Sequence, residues 1–185
     1  MLQKMDNADF DKVFALMEES FPSDEYRNYS GQKKLLDNPL YEIFVVKNSE
    51  TADIEAIAAI WDFGENAYIE HLAVSPKLRC GGMGSKILGE LAQNISKPLC
   101  LEVELPECDI AKRRIGFYER CGYYLNDYPY MQPSLSEGKK SIPLMIMTYG
   151  GKIGRDEFEN LKNLLYKEVY KVLKSSTADE ISKER

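Results

Sequence analysis

The 185-residue chain has a single histidine, His71, and four cysteines, Cys80, Cys100, Cys108 and Cys121, with no CxxC pair among them. A structural zinc site is therefore not expected, because both the ligands and the finger spacing are missing. The cysteines also lack a secreted disulfide spacing, so reduced thiols in a cytoplasmic protein are the expectation. The opening MLQKMDNADF contains no apolar stretch of the kind a secretory signal carries. No run approaches the roughly 18 to 20 apolar residues that a membrane span requires. Positive charge is in deficit too: 24 Lys and Arg stand against 30 Asp and Glu, a net charge of −6. Phosphate backbones call for a basic face, so nucleic acid is not expected as a partner. The acidic balance agrees with a cationic acceptor, although the same charge also serves solubility.

What remains is ordinary for a globular domain: 44% hydrophobic and 29% charged residues, with no repeat and no linker. Residues 1–5 read as a short first strand. Asn7 to Asp9 offer a cap, and Phe10, Val13, Phe14 and Met17 recur at helical spacing up to Phe21-Pro22. Ser30 starts a second short helix through Leu36. Residues 41–47 and 54–63 are β-rich runs, and 68–74 is a fourth strand. Turns at 48–52 and 64–66 make these three an antiparallel meander. A helix over 83–95 and a strand over 99–103 follow, which implies a parallel pair with a right-handed crossover. Residues 109–121 form a helix stopped by Gly122. Short strands over 123–126 and 142–149 flank a polar loop. Residues 156–174 form an amphipathic helix ahead of a polar, frayed end. The last helix is expected to pack on the domain, with a second subunit, hence a homodimer, as the alternative. The division implied is a domain over 1–150 and a helical extension over 151–185.

The most informative string is LAVSPKLRCGGMGSKIL, from Leu72 to Leu88. It reads as strand, glycine-rich turn, helix. Glycines let backbone amides approach an anion closely, and a helix N-terminus adds its dipole. Arg79 can add a charge-assisted contact. A phosphate or pyrophosphate is the expected ligand. The GxxxxGK[ST] spacing of a P-loop and the GxGxxG of a dinucleotide fold are both absent.

Arg79-Cys80-Gly81-Gly82-Met83-Gly84 resembles the (R/Q)xxGx(G/A) acetyl-CoA motif of the GNAT acyltransferase superfamily, and LAVSP resembles the exit of that family's fourth strand. RIGFYERCGY, Arg114 to Tyr123, resembles its second cofactor segment. The resemblance runs over roughly residues 1–149. It implies an α/β (α+β) fold, a mixed and mostly antiparallel sheet flanked by helices, splayed between the fourth and fifth strands. Acetyl-CoA would lie in that opening. Leu72, Ala73 and Val74 would serve its pantetheine, while Arg79, Cys80, Gly81, Gly82, Met83, Gly84 and Ser85 would hold its pyrophosphate. No metal is implied. Two positions depart from the family pattern: Ala111 stands where many members have Asn, and Arg114 where a small residue is usual. Arg113 or Arg114 would then either reach a cofactor phosphate or lie on a solvated helix face.

The resemblance implies an N-acetyltransferase acting by direct attack of an amine, with a non-catalytic acyl-CoA sensor or assembly module as the alternative. Tyr118 matches the family tyrosine beside the CoA sulfur and is the candidate acid; otherwise it is a packed aromatic. Glu70, on the fourth strand, is the first candidate base, and His71 the second. Strand alternation assigns Tyr68, Glu70 and Leu72 to one face and Ile69, His71 and Ala73 to the other, so Glu70 and His71 share a site only across a bulge. Glu102, Glu104 and Glu107 are either acceptor-side carboxylates or edge solvation. Tyr128, Tyr130, Met131 and Gln132 are candidate walls of the acceptor pocket. Cys80 and Cys121 have no evident partner base and read as structural thiols.

Overall fold

The computed structural model describes residues 2–172. Leu173, Lys174 and the polar end expected to fray lie outside the described residues. The described strands are β1 (Gln3–Lys4), β2 (Tyr41–Lys47), β3 (Ile54–Asp62), β4 (Ala67–Val74), β5 (Leu99–Glu104), β6 (Tyr123–Gln132) and β7 (Ile142–Tyr149). The helices are α1 (Phe10–Ser20), α2 (Tyr29–Lys34), α3 (Met83–Asn94), α4 (Asp109–Arg120) and α5 (Arg155–Glu168). The seven strands form one sheet in the order β1-β2-β3-β4-β5-β7-β6. Every neighbouring pair is antiparallel except β4–β5, the pair joined by the α3 crossover.

Each face of the sheet is covered by helices whose apolar stripes match it. Phe10, Val13 and Met17 of α1 and Phe158 and Leu165 of α5 pack with Ile57, Trp61 and Tyr68 on one face. Ile87, Leu88 and Leu91 of α3 and Ile115 of α4 pack with Ala58, Ile69 and Leu101 on the other. Helix α5 thus lies on the chain's own sheet, in one core with α1, and packing does not break at residue 150. Val169 and Tyr170 leave its end and stay buried.

Several boundaries move for local reasons. Asp6 accepts from the Ala8 amide and caps a 3-10 turn over Asn7–Asp9 that leads into α1. Asn28, rather than Ser30, caps α2 by accepting from Gly31. The second part of the expected polar loop is strand: β6 runs on to Gln132, with its pairing to β7 interrupted between Asn126 and Tyr130 around Pro129. Tyr128, Tyr130, Met131 and Gln132 therefore belong to a strand.

Two features of β4 shape the site. The first is a bulge. Ala59 faces His71 while Ile60 faces Ile69, so Glu70 is the extra residue. Beyond it the alternation inverts. Ala67, Ile69, Leu72 and Val74 share one face, and Tyr68 and Ala73 the other. The simple alternation expected from the sequence is corrected accordingly: Glu70 and His71 both face the α1 side, where Glu70 meets Trp61 and His71 meets Phe21. The second feature is a splay. β4 and β5 pair only over Ala67↔Leu99, Tyr68↔Cys100 and Ile69↔Leu101. From Glu70 onward the two strands part.

Candidate active site

Beyond the splay, the chain turns through a 3-10 segment at Pro76–Leu78 and enters α3. Gly82 is the N-cap at φ +76°, a conformation that favours glycine, and Cys80 is also left-handed at φ +67°. No side chain caps this helix and no acidic residue stands in its first turn. The first-turn amides of Met83, Gly84 and Ser85 therefore have no partner within the helix, and the positive end of its dipole is uncompensated. A Cβ added at Gly82 would meet nothing within 4 Å, so there is space over the cap. Gly84 is constrained differently: a Cβ there would stand 3.1 Å from Phe117 Cζ of α4. The Arg79 Nε–H donates to the Val74 carbonyl at 3.2 Å, which holds the loop against the end of β4. A hollow of about 510 Å³ lies over this turn, bordered by Leu72, Val74, Gly82 and Phe117. Orphan amides, free space and an arginine suit a pyrophosphate. Cys121 Sγ–H reaches Ser85 Oγ at 3.6 Å, tying the end of α4 to the start of α3.

A second hollow of about 330 Å³ continues from the first through the splay; Leu72, Val74, Arg79, Arg114 and Tyr118 line both. Tyr118 stands at this junction, with its ring against Phe117 and Tyr123. Burial pushes its phenol up to about 12, so it is protonated at neutral pH. Arg114, with a side chain 38% exposed, forms an ion pair with Glu104 at the end of β5. Arg113 is exposed, Ala111 is buried, and Glu107 is exposed beyond β5.

The far side of the second hollow is acidic, and its carboxylates differ. Glu70 is committed. Arg27 Nη1 donates to its Oε1 at 2.6 Å and Trp61 Nε1 to its Oε2 at 3.0 Å. Burial would raise this carboxyl, but the Arg27 guanidinium, with His71 and the two hydrogen bonds, holds it below the ordinary value. Glu102, on β5, accepts from Tyr130 and Tyr170; the two Tyr170 contacts are 2.9 and 2.8 Å. Burial outweighs these bonds and pushes Glu102 up to about 7. Glu25 arrives from the turn after α1. Burial, then the negative charge of Glu104, push it up to about 7 as well.

His71 Nε2–H donates to the Glu25 carbonyl at 2.9 Å, leaving Nδ1 3.7 Å from Glu70 and without a hydrogen bond. Its environment lowers its proton affinity, through burial first, so it stays neutral and acts as a strut beneath Glu25. Arg27 reaches further, donating from Nη2 to the Val169 carbonyl at 3.0 Å. The segment after α5 is thereby joined to β4 by Arg27 and to β5 by Tyr170. Glu25, Arg27 and Tyr170 are not signalled in the sequence, because each stands in a turn or at a helix end where no periodicity marks an inward side chain.

Residues 39–125 match the family model described as an acetyltransferase (GNAT) domain. A solved GNAT-family protein from Bacteroides thetaiotaomicron is 32% identical, with 94% of this chain and 99% of that one covered at a TM-score of 0.83. The ribosomal-protein-S18-alanine N-acetyltransferase of Escherichia coli shares the fold at 17% identity and a TM-score of 0.58, over 83% of this chain and 95% of that one. An aminoglycoside 6'-N-acetyltransferase complexed with coenzyme A does so at 14% identity and 0.58, over 80% and 95%. No curated protein matches in sequence. Among the described residues no helix is long and apolar enough to cross a membrane, and no cluster of metal-binding side chains is present. The splayed sheet, the glycine-capped turn and the close structural relative agree: the chain belongs to the GNAT acetyltransferase family.

Proposed function

We infer that the protein is an N-acetyltransferase that moves an acetyl group from acetyl-CoA to a primary amine by direct attack. The observation that carries this reading is the continuous hollow from the phosphate-suited turn to an acidic chamber, with Tyr118 at the junction. Acetyl-CoA supplies the acetyl group as a thioester. The amides of Met83, Gly84 and Ser85, with Gly81, Gly82, Cys80 and Arg79 shaping the turn, hold its pyrophosphate, and Leu72, Ala73 and Val74 guide the pantetheine along β4.

We assign the base to Glu102 rather than to Glu70. A base is most effective when its pKa lies near the working pH, and Glu102 is raised to about 7. Glu70 is paired with the Arg27 guanidinium and has a lowered pKa, so it serves as an anchor at the bulge. An ammonium entering the chamber gives a proton to Glu102. The neutral amine attacks the acetyl carbonyl, a C–N bond forms, and the C–S bond breaks. Tyr118 donates its phenolic proton to the departing sulfur. Burial of Glu102 and Tyr118 strengthens the electrostatic part of these steps.

The test is acetyl-CoA turnover against a panel of amines, for the wild type and Tyr118→Phe. Loss of a positioned acid lowers kcat by about 10²- to 10⁴-fold while acyl-CoA affinity holds. A Tyr118→Phe protein with full turnover removes the acid assignment. Tight acetyl-CoA binding with no turnover of any amine supports the alternative of a non-catalytic acyl-CoA sensor.

A further inference from the structure

Each strand of the splay carries a glutamate at the first position beyond the last β4–β5 pair, Ile69↔Leu101: Glu70 on β4 and Glu102 on β5. The segment after α5 reaches both. The Val169 carbonyl accepts from Arg27, the partner of Glu70, and the next residue, Tyr170, donates to Glu102. The amides of Val169 and Tyr170 both donate to the Leu165 carbonyl, so the end of α5 leads directly into these contacts. Val169 is 3% and Tyr170 9% exposed. The match to the family's domain model ends at residue 125, and both tyrosines that bond Glu102, Tyr130 and Tyr170, lie beyond it.

The geometry at Glu102 is asymmetric. Tyr130 donates to Oε1, and the Tyr170 hydroxyl stands 2.9 Å from Oε1 and 2.8 Å from Oε2, so its one proton is shared between them. The plane of the carboxylate is thereby fixed, and Oε2 keeps the freer lone pairs. Tyr68 Oη lies 3.4 Å from Tyr170 Oη; with the Tyr170 proton turned to Glu102, Tyr68 is the donor of that contact. An ionised carboxylate accepts at every lone pair, whereas a carboxylic acid must donate from one oxygen, so the two hydroxyls favour the ionised form. The other titratable groups around Glu102 are Tyr68 and Glu70 of β4, Tyr166 of α5 and Cys100 of its own strand. Of these Glu70 alone is charged at neutral pH, and Arg27 matches it. Glu25 and Glu104 line the same chamber, and Glu104 is paired with Arg114. With both guanidinium groups committed to other carboxylates, ionised Glu102 rests on neutral donors.

Resting on the acetyl-transfer reading above and on Glu102 as its base, we propose that Tyr170, helped by Tyr130, is the positioning residue of that base, pinning the carboxylate where the strands part and donating to its ionised form. Oε2 is then the oxygen that takes the proton of the incoming ammonium. The segment after α5 thus belongs to the acetyl-transfer site as well as to the core.

Carbon NMR of the full chain, labelled at the glutamate side-chain carboxyls, tests this without turnover; the Glu102 signal is the one missing from Glu102→Gln. In Tyr170→Phe, which removes a single oxygen atom, the midpoint of its titration rises by about one to two pH units, the worth of one hydrogen bond to a charged group. Tyr130→Phe raises it likewise. The acidic limb of kcat/KM, for whichever amine is acetylated, moves up by the same interval while acetyl-CoA affinity holds. A merely structural role has the opposite sign, because disturbed packing admits water, relieves burial and lowers the midpoint. A midpoint that stays or falls in Tyr170→Phe overturns the assignment, and if that variant does not fold, the same result in Tyr130→Phe does so. A raised midpoint with an unmoved kinetic limb removes Glu102 as the base, and with it the role proposed for Tyr170. A raised midpoint in a protein that acetylates no amine sinks the transfer reading and leaves the hold of Tyr170 on Glu102 standing.

Discussion

Replacing Arg27 with methionine tests whether the site depends on one buried ion pair. Arg27 is 6% exposed and joins three segments: the turn after α1, the β4 bulge through Glu70, and the end of α5 through the Val169 carbonyl. Charges about 4 Å apart attract by about 4 kcal/mol at an effective dielectric of 20. Removing one partner forfeits that attraction and leaves the other charge unpaired, which costs about 3–5 kcal/mol at buried pairs. For a chain of this size each kcal/mol lowers Tm by about 2–4 °C, so the loss is roughly 6–20 °C.

The pH dependence carries a sign. In the wild type the Glu70 carboxyl is lowered, through Arg27 acting against burial. Its contribution is therefore present above the ordinary carboxylate pKa of about 4.3 and lost as pH falls through the lower, folded value. In Arg27→Met burial prevails and the carboxyl is raised. The variant is then most stable in acid and weakens as pH rises, so its deficit is largest near neutrality. Urea unfolding followed by the single tryptophan, buried Trp61, measures this at about pH 5 and pH 7.5. A second change, Glu70→Gln, recovers part of the loss, since a neutral amide needs no counter-charge. A deficit under about 1 kcal/mol, equal at both pH values, would refute a stabilising pair.

Other outcomes follow from the same geometry. Glu102→Gln lowers kcat/KM by about 10²- to 10⁴-fold. In the wild type kcat/KM falls as pH drops through about 7, where Glu102 gains its proton, and the variant lacks that limb; a limb that persists in Glu102→Gln moves the base elsewhere. Gly82→Val strains a residue held at φ +76°, by about 1–2 kcal/mol, and covers the open cap. Gly84→Asp drives a Cβ toward Phe117 and sets a negative charge in the first turn of α3. Both variants lose acetyl-CoA binding by calorimetry, and unchanged affinity would remove the pyrophosphate assignment from this turn.

The order of elements was legible because each is dictated locally. Phe10, Val13, Phe14 and Met17 can share one face only in a helix, and the glycines between β4 and α3 permit a turn that other residues resist. The Gly122 stop has the same origin, since its φ of +87° favours glycine. These are short-range constraints, written within a few residues. The two motifs also sufficed to indicate the family, because each is a contiguous string.

The polar chemistry of the acidic chamber was decided by contacts between residues far apart in the chain. The bulge at Glu70 depends on how β4 registers with β3, and it reverses which neighbours Glu70 and His71 meet. Glu70 is a low-pKa anchor because Arg27, 43 positions earlier, is folded against it. Glu102 is a high-pKa carboxyl because burial prevails over bonds from Tyr130 and Tyr170, the latter 68 positions later. Nothing in the three strings around Glu70, Glu102 and Glu25 distinguishes a paired carboxylate from an unpaired one. Burial and charge proximity set proton affinity, and both are properties of the packed sheet and the helices around it.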